Sequence, residues 1–124
     1  MPTYLQGFSA TIYVSDLDKS IDFYTNVLRL PLLGRWGNHY AGIDFGQGVV
    51  IGLHPSATGQ PTPGTPGSIQ VGFAVNAPLE EAVKDLASRG VIFRGSIVND
   101  NKVRLAFFGD PDGNELYLVE TQKW

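Results

Sequence analysis

No cysteine occurs among the 124 residues of this chain. That excludes disulfides, thiol nucleophiles and cysteinyl metal sites together, and it leaves the redox compartment open. Histidine is almost as scarce, with only His39 and His54 present. The nine basic residues are scattered without a Lys/Arg cluster, which argues against a nucleic-acid partner. Charged residues make up 17% of the chain and the net charge is −3, an ordinary solubility charge. No apolar run approaches the length of a membrane span, and the opening MPTYLQGFS has neither a basic nor an apolar leader region. A soluble cytoplasmic protein with no membrane partner is therefore expected. There is no P-loop, no GxSxG elbow and no HExxH. The DFG at Asp44, Phe45 and Gly46 has no kinase context and is a chance match.

What is present is a duplication. The strand-like run FSATIYV (Phe8 to Val14) breaks at Ser15-Asp16 and passes into the helix-patterned LDKSIDFYTNVL. SIQVGFAV (Ser68 to Val75) breaks at Asn76 and passes into PLEEAVKDLASRG. Laying Ser15 on Asn76 gives an offset of 61, which also lays Ile12 on Phe73 and Val14 on Val75. Such a repeat predicts a symmetric α+β fold whose function sits where the copies face each other. With 43% hydrophobic residues the chain can bury a core as one domain over 1–124. Module one covers about 8–54, a Pro/Gly-rich linker 55–67, and module two about 68–120.

The first helix is expected to start near Ser15 or Asp16, whose side chains suit an N-cap, with Leu17, Ile21, Tyr24 and Leu28 as its apolar stripe. The second opens at Asn76, carries Pro78, Glu80 and Glu81 in its first turn, and stops at Gly90. DPDGN (Asp110 to Asn114) reads as a turn, with Pro111 presetting φ, Asp112 bonding the backbone and Gly113 taking positive φ. It should join Lys102–Phe108 to Glu115–Glu120 as a hairpin.

Period-two alternation separates two faces on four strands. Ala10, Ile12 and Val14 oppose Ser9, Thr11 and Tyr13; Ile51 and Leu53 oppose Val50, Gly52 and His54. Val71, Phe73 and Val75 oppose Gln70, Gly72 and Ala74; Leu116 and Leu118 oppose Tyr117 and Val119. The greasier face should meet the helices. The other combines aromatic with small residues, and Gly52, Gly72 and Ala74 would leave a hollow there, a pocket-lining surface.

VSDLDKSIDFYTNVL followed by LPLLGRW, the later VVIGLH and the closing FFGDPDGNELYLVE resemble the glyoxalase / bleomycin-resistance / extradiol-dioxygenase superfamily, of vicinal oxygen chelate fold. The resemblance runs from about Phe8 to Glu120. It implies two βαβββ modules whose sheets form a curved mixed sheet around a cleft, with helices on the outer face, and a homodimer. In metal-dependent members four strands each supply a His, Gln or Glu to a divalent ion. Those positions fall here on Ser9, Gly52, Gln70 and Tyr117, of which Gln70 alone could ligate, so no metal and no other cofactor is expected. A relocated cluster of His54, Glu115 and Gln70 is the alternative, and it would have to be improvised.

The expected ligand-binding set is Ser9, Thr11, Tyr13, Trp36, Tyr40, Gly52, His54, Gln70, Gly72, Arg104, Phe108 and Tyr117. Arg104 shares parity with Ala106 and Phe108, so it is expected to face the cleft, either paired with Glu115 or Asp44 or gripping a ligand carboxylate. Three functions compete. One is a metal-free binder of a small, partly aromatic or apolar molecule. Another is a lyase, isomerase or dioxygenase working through an altered metal site, or through His54, Tyr117 and Arg104 as metal-free catalytic residues. The third is a dimeric structural module with a vestigial cleft.

Overall fold

The structure is a computed structural model and describes residues 8–57, 59–100 and 103–121. The chain divides into two compact units, residues 1–63 and 64–124, each described by itself.

In the first unit, β1 (Phe8–Val14) leads into α1 (Leu17–Asp22), followed by β2 (Leu32–Trp36), β3 (Tyr40–Asp44) and β4 (Val49–Pro55). The sheet order is β1-β4-β3-β2, with β1 parallel to β4 and the other pairs antiparallel. Asp16, in extended conformation, caps α1 by accepting from the Lys19 amide at 3.1 Å. The helix continues from α1 into a π-helical turn, Phe23–Val27, where the Leu28 N–H reaches back five residues to the Phe23 carbonyl at 3.0 Å. The buried stripe is Leu17, Ser20 and Tyr24, with Ile21 and Leu28 half-buried. The stripe packs on β3 and β4, over a face made of Ile12, Val14, Ala41, Ile43, Ile51 and Leu53, all buried. Together with Leu17 and Tyr24 this face forms the unit's apolar core, whose removal from water favours folding.

The second unit repeats the plan. β5 (Gln70–Ala74) precedes α2 (Leu79–Ser88), then β6 (Val98–Asp100), β7 (Val103–Gly109) and β8 (Glu115–Thr121), in the order β5-β8-β7-β6. β5 runs parallel to β8, and the other pairs are antiparallel. Lys102 lies outside the described residues, so the expected hairpin is seen from Val103 onward. α2 ends in a Schellman motif: the Val91 N–H donates to the Leu86 carbonyl and Gly90, at φ +97°, to that of Ala87. Its N-terminus takes its partner from the sheet, since the Leu79 N–H donates to Glu120 Oε2 at 3.3 Å. No helix among the described residues is long and apolar enough to cross a membrane.

The β7–β8 turn is built on Asp110. Its Oδ1 accepts from the amides of Asp112 and Asn114 at 3.0 and 2.8 Å, and its Oδ2 from Asn114 Nδ2 at 2.9 Å. The sequence directs attention to Asp112, yet it is Asp110 that gathers the turn's amides, while Gly113 takes φ +88° as expected. Asn114 Oδ1 in turn accepts from the Gly64 amide at 3.1 Å, tying the linker's end to this turn.

Candidate functional site

In both units one sheet face meets the helix, and the opposite, helix-free face carries the candidate residues other than Arg104 and Phe108. In the first unit a row of small residues crosses this face. Gly34 pairs with Gly42, Gly42 with Gly52, and Gly52 with Thr11. Two residues along each strand stand Trp36, Tyr40, His54 and Tyr13, with Trp36 paired to Tyr40 and Tyr13 to His54. An aromatic row thus borders a glycine row.

The two rows interlock. A Cβ at Gly52 would run into the Tyr40 phenol, and one at Gly34 would come within 3.1 Å of Trp36 Cη2. At Gly42 a Cβ would meet only ordinary contacts, at 3.7 Å and beyond. Trp36 and Tyr40 are tilted against each other at 5.6 Å, and Trp36 remains 59% exposed. Tyr13 and His54 meet edge-on at 5.5 Å. His54 Nδ1 lies 2.7 Å from the Pro55 carbonyl, which can only accept, so Nδ1 donates there and Nε2 is the acceptor whenever the ring is uncharged.

In the second unit, Gly72 pairs with Tyr117 and Tyr117 with Phe107. A Cβ at Gly72 would collide with the Tyr117 ring, which packs on Phe107 at 5.7 Å. The hollow expected over Gly52 and Gly72 is therefore corrected: each glycine is the seat of a tyrosine ring, which occupies the space a Cβ would take. Beside Tyr117, Gln70 Nε2 donates to Glu115 Oε2 at 2.9 Å.

Arg104 and Phe108 do not share this face. The register pairs Ala106 with Leu118, Phe108 with Leu116 and Arg104 with Glu120, so these β7 residues point to the helix side. Phe108 is fully buried against Phe93 at 5.3 Å. Arg104 bridges Glu80 at the start of α2 and Glu120 on β8, the latter at 2.8 Å, and its Nε donates to Asn99 at 3.1 Å. The partners expected from sequence, Glu115 and Asp44, are replaced by these two. Hydrogen bonding from Arg104 holds the Glu80 carboxyl below the usual glutamate range, and the two carboxylates raise the arginine further. The physical cause of the misreading is that both faces of VRLAFF are apolar, so alternation alone could not orient it.

The positions at which the resemblance places metal ligands do not form a suitable donor set. Ser9 offers a hydroxyl, Gly52 no side chain, Gln70 an amide bound to Glu115, and Tyr117 a phenol whose ring lies over Gly72. A hard divalent ion takes carboxylates or imidazoles fixed around it, and these residues do not fit one. Among the described residues no three His, Asp or Glu side chains are grouped to hold an ion.

A family model described as Glyoxalase/Bleomycin resistance protein/Dioxygenase superfamily matches residues 8–118. Among solved structures, the chain is similar to a member of that superfamily from Sphaerobacter thermophilus DSM 20745, at 28% identity and TM-score 0.78, covering 96% of this chain and 99% of that one. It is similar at 25% identity and TM-score 0.78 to an antibiotic binding protein from Streptomyces sp. CB03234, covering 98% and 100%. A glyoxalase/bleomycin resistance protein/dioxygenase from Nocardioides shares the fold at 22% identity and TM-score 0.75, covering 98% and 86%. No curated protein matches the chain.

Proposed function

Because the chain belongs to the glyoxalase/bleomycin resistance protein/dioxygenase superfamily, we propose that it binds a small, flat, partly aromatic molecule on the helix-free face of its first unit, without a metal. One observation carries this reading: Trp36 and Tyr40 lie on a glycine floor, and the tryptophan keeps 59% of its surface open. A ring held in place by its floor offers surface to a second ring at little entropic cost. Tyr13 and the Nε2 of His54 stand in the same row and supply a hydroxyl and an acceptor to orient polar groups on the ligand. The likeness to an antibiotic binding protein supports binding over turnover. The absence of a usable ligand set at Ser9, Gly52, Gln70 and Tyr117 supports the metal-free form.

Fluorescence titration tests it. In a W124F background, Trp36 is the one tryptophan left, and a panel of two- and three-ring aromatics should include members that quench it saturably. For such a member Y40A should weaken binding about tenfold, equivalent to about 1.4 kcal/mol. The reading fails if calorimetry shows every saturable binder unaffected by W36A and Y40A together. It also fails if binding needs a stoichiometric divalent ion and is lost on chelation.

A further inference from the structure

The second unit contains a separate hollow of about 310 Å³ between the strap Gly64–Ile69 and the starts of β8 and the β7–β8 turn. Its polar wall is Arg94 and Glu115; Pro66 and Ile69 add apolar surface. The Arg94 amide is fixed to β7 by donating to the Phe107 carbonyl at 2.7 Å. Its guanidinium lies across Gly109, where any Cβ would strike it, and Nη2 donates to the Gly113 carbonyl at 3.1 Å. Gln70 holds the other wall in place through Glu115 Oε2. Arg94 Nη1 stops 4.0 Å from Glu115 Oε1, a charge pair without a direct hydrogen bond, and both side chains are partly open to solvent, 47% and 34% exposed.

We propose that this hollow binds a free α-amino acid with a medium-sized apolar side chain. A cation and an anion 4.0 Å apart, each partly open to solvent, match a ligand whose carboxylate and ammonium sit on one carbon. The carboxylate would accept from Arg94 Nη1 and the ammonium donate to Glu115 Oε1. A simple anion would meet the Glu115 charge and a simple cation that of Arg94, so each is disfavoured. The volume accommodates a side chain against Pro66 and Ile69, at the small end of the range for ligand sites. The inference is independent of the aromatic face in the first unit.

Three probes with one isobutyl group separate the possibilities: L-leucine, 4-methylpentanoate, which lacks the ammonium, and 3-methylbutylamine, which lacks the carboxylate. Amide chemical shifts of the ¹⁵N-labelled full chain are followed in titrations of each. L-leucine should shift Thr65, Gly67, Gly113 and Glu115 saturably, with both analogues at least about tenfold weaker. Glu115→Gln should weaken L-leucine and strengthen 4-methylpentanoate; Arg94→Gln should likewise weaken L-leucine and strengthen 3-methylbutylamine. These exchanges keep the overall spectrum as a check on folding, and a variant that unfolds is replaced by Arg94→Lys or Glu115→Asp, for which weaker L-leucine binding is expected. Equal binding of L-leucine and 4-methylpentanoate would reduce the site to an anion site and overturn the proposal. So would the absence of saturable shifts at these amides, or L-leucine binding unchanged in both variants.

Discussion

The two units share one topology and differ on one face. By strand register, Gly52 in the first stands where Tyr117 stands in the second, and Gly42 where Phe107 stands. One step along the strands the exchange reverses: Tyr13, His54 and Tyr40 correspond to Ala74, Val119 and Leu105. Both units therefore lay tyrosine on glycine, but the ring comes from the neighbouring strand's outer row in one and from the inner row in the other. The helix-side faces are apolar in both units, except where Arg104 and Glu120 stand in the second. Backbone plan and face chemistry are thus specified by alternate residues of the same strands, and one can be rewritten without disturbing the other.

The sharpest way to break the comparison is to test the assignment of faces on β7. Phe108→Ala removes a fully buried ring and should cost about 3–5 kcal/mol in denaturant unfolding. Phe107→Ala, on the half-buried helix-free face, should cost clearly less. Equal losses would mean that the two faces are not distinguished as described. Next in size are the glycine seats. Gly52→Ala and Gly72→Ala should each cost about 1–3 kcal/mol through displaced rings, whereas Gly42→Ala, with room for its Cβ, should not. Pairing Gly52→Ala with Tyr40→Ala, or Gly72→Ala with Tyr117→Ala, should recover part of the loss in a double-mutant cycle.

A smaller effect belongs to the second unit alone. Arg104 joins β7, β8 and α2, and it depresses the Glu80 pKa. A depressed carboxyl contributes stability above its unfolded pKa and loses it as pH falls through the folded value. Arg104→Met should therefore lower the urea midpoint at neutral pH, and its gap from the parent should narrow below about pH 4. A gap independent of pH would sink that account. The smallest change is expected in the first unit, where the Ser20 hydroxyl is buried without a partner. Ser20→Ala removes that group and should be neutral or stabilising by up to about 1 kcal/mol.

The repeat, the two helices and the hairpin were legible because each rests on local chemistry: a cap at Asp16, a stop at Gly90, positive φ at Gly113. Faces were legible wherever apolar and polar residues alternate, as in β1, β4 and β5. They were not legible in β7, where Phe107 and Phe108 are adjacent and the five-residue turn decides which one meets the helix. The π-helical turn left no trace either, since Phe23–Val27 carries an ordinary helical pattern. At the site, the glycines drew attention for the right reason, an absent Cβ, but what fills the space depends on rings two residues away on neighbouring strands. The approach of Arg94 to Glu115 joins residues 21 positions apart, which no local pattern in the sequence announces.

Gly64 holds φ +79°, a Cβ there would strike the Asp112 carbonyl, and its N–H donates to Asn114 Oδ1. The second unit's architecture thus begins at a riveted point. Extra residues spliced in at 59–62 would lengthen a leash upstream of that rivet and leave the strap's path beyond it intact. The same insertion two residues after Gly64 would pull the strap off its wall, so variation in loop length has a sharply defined place to accumulate.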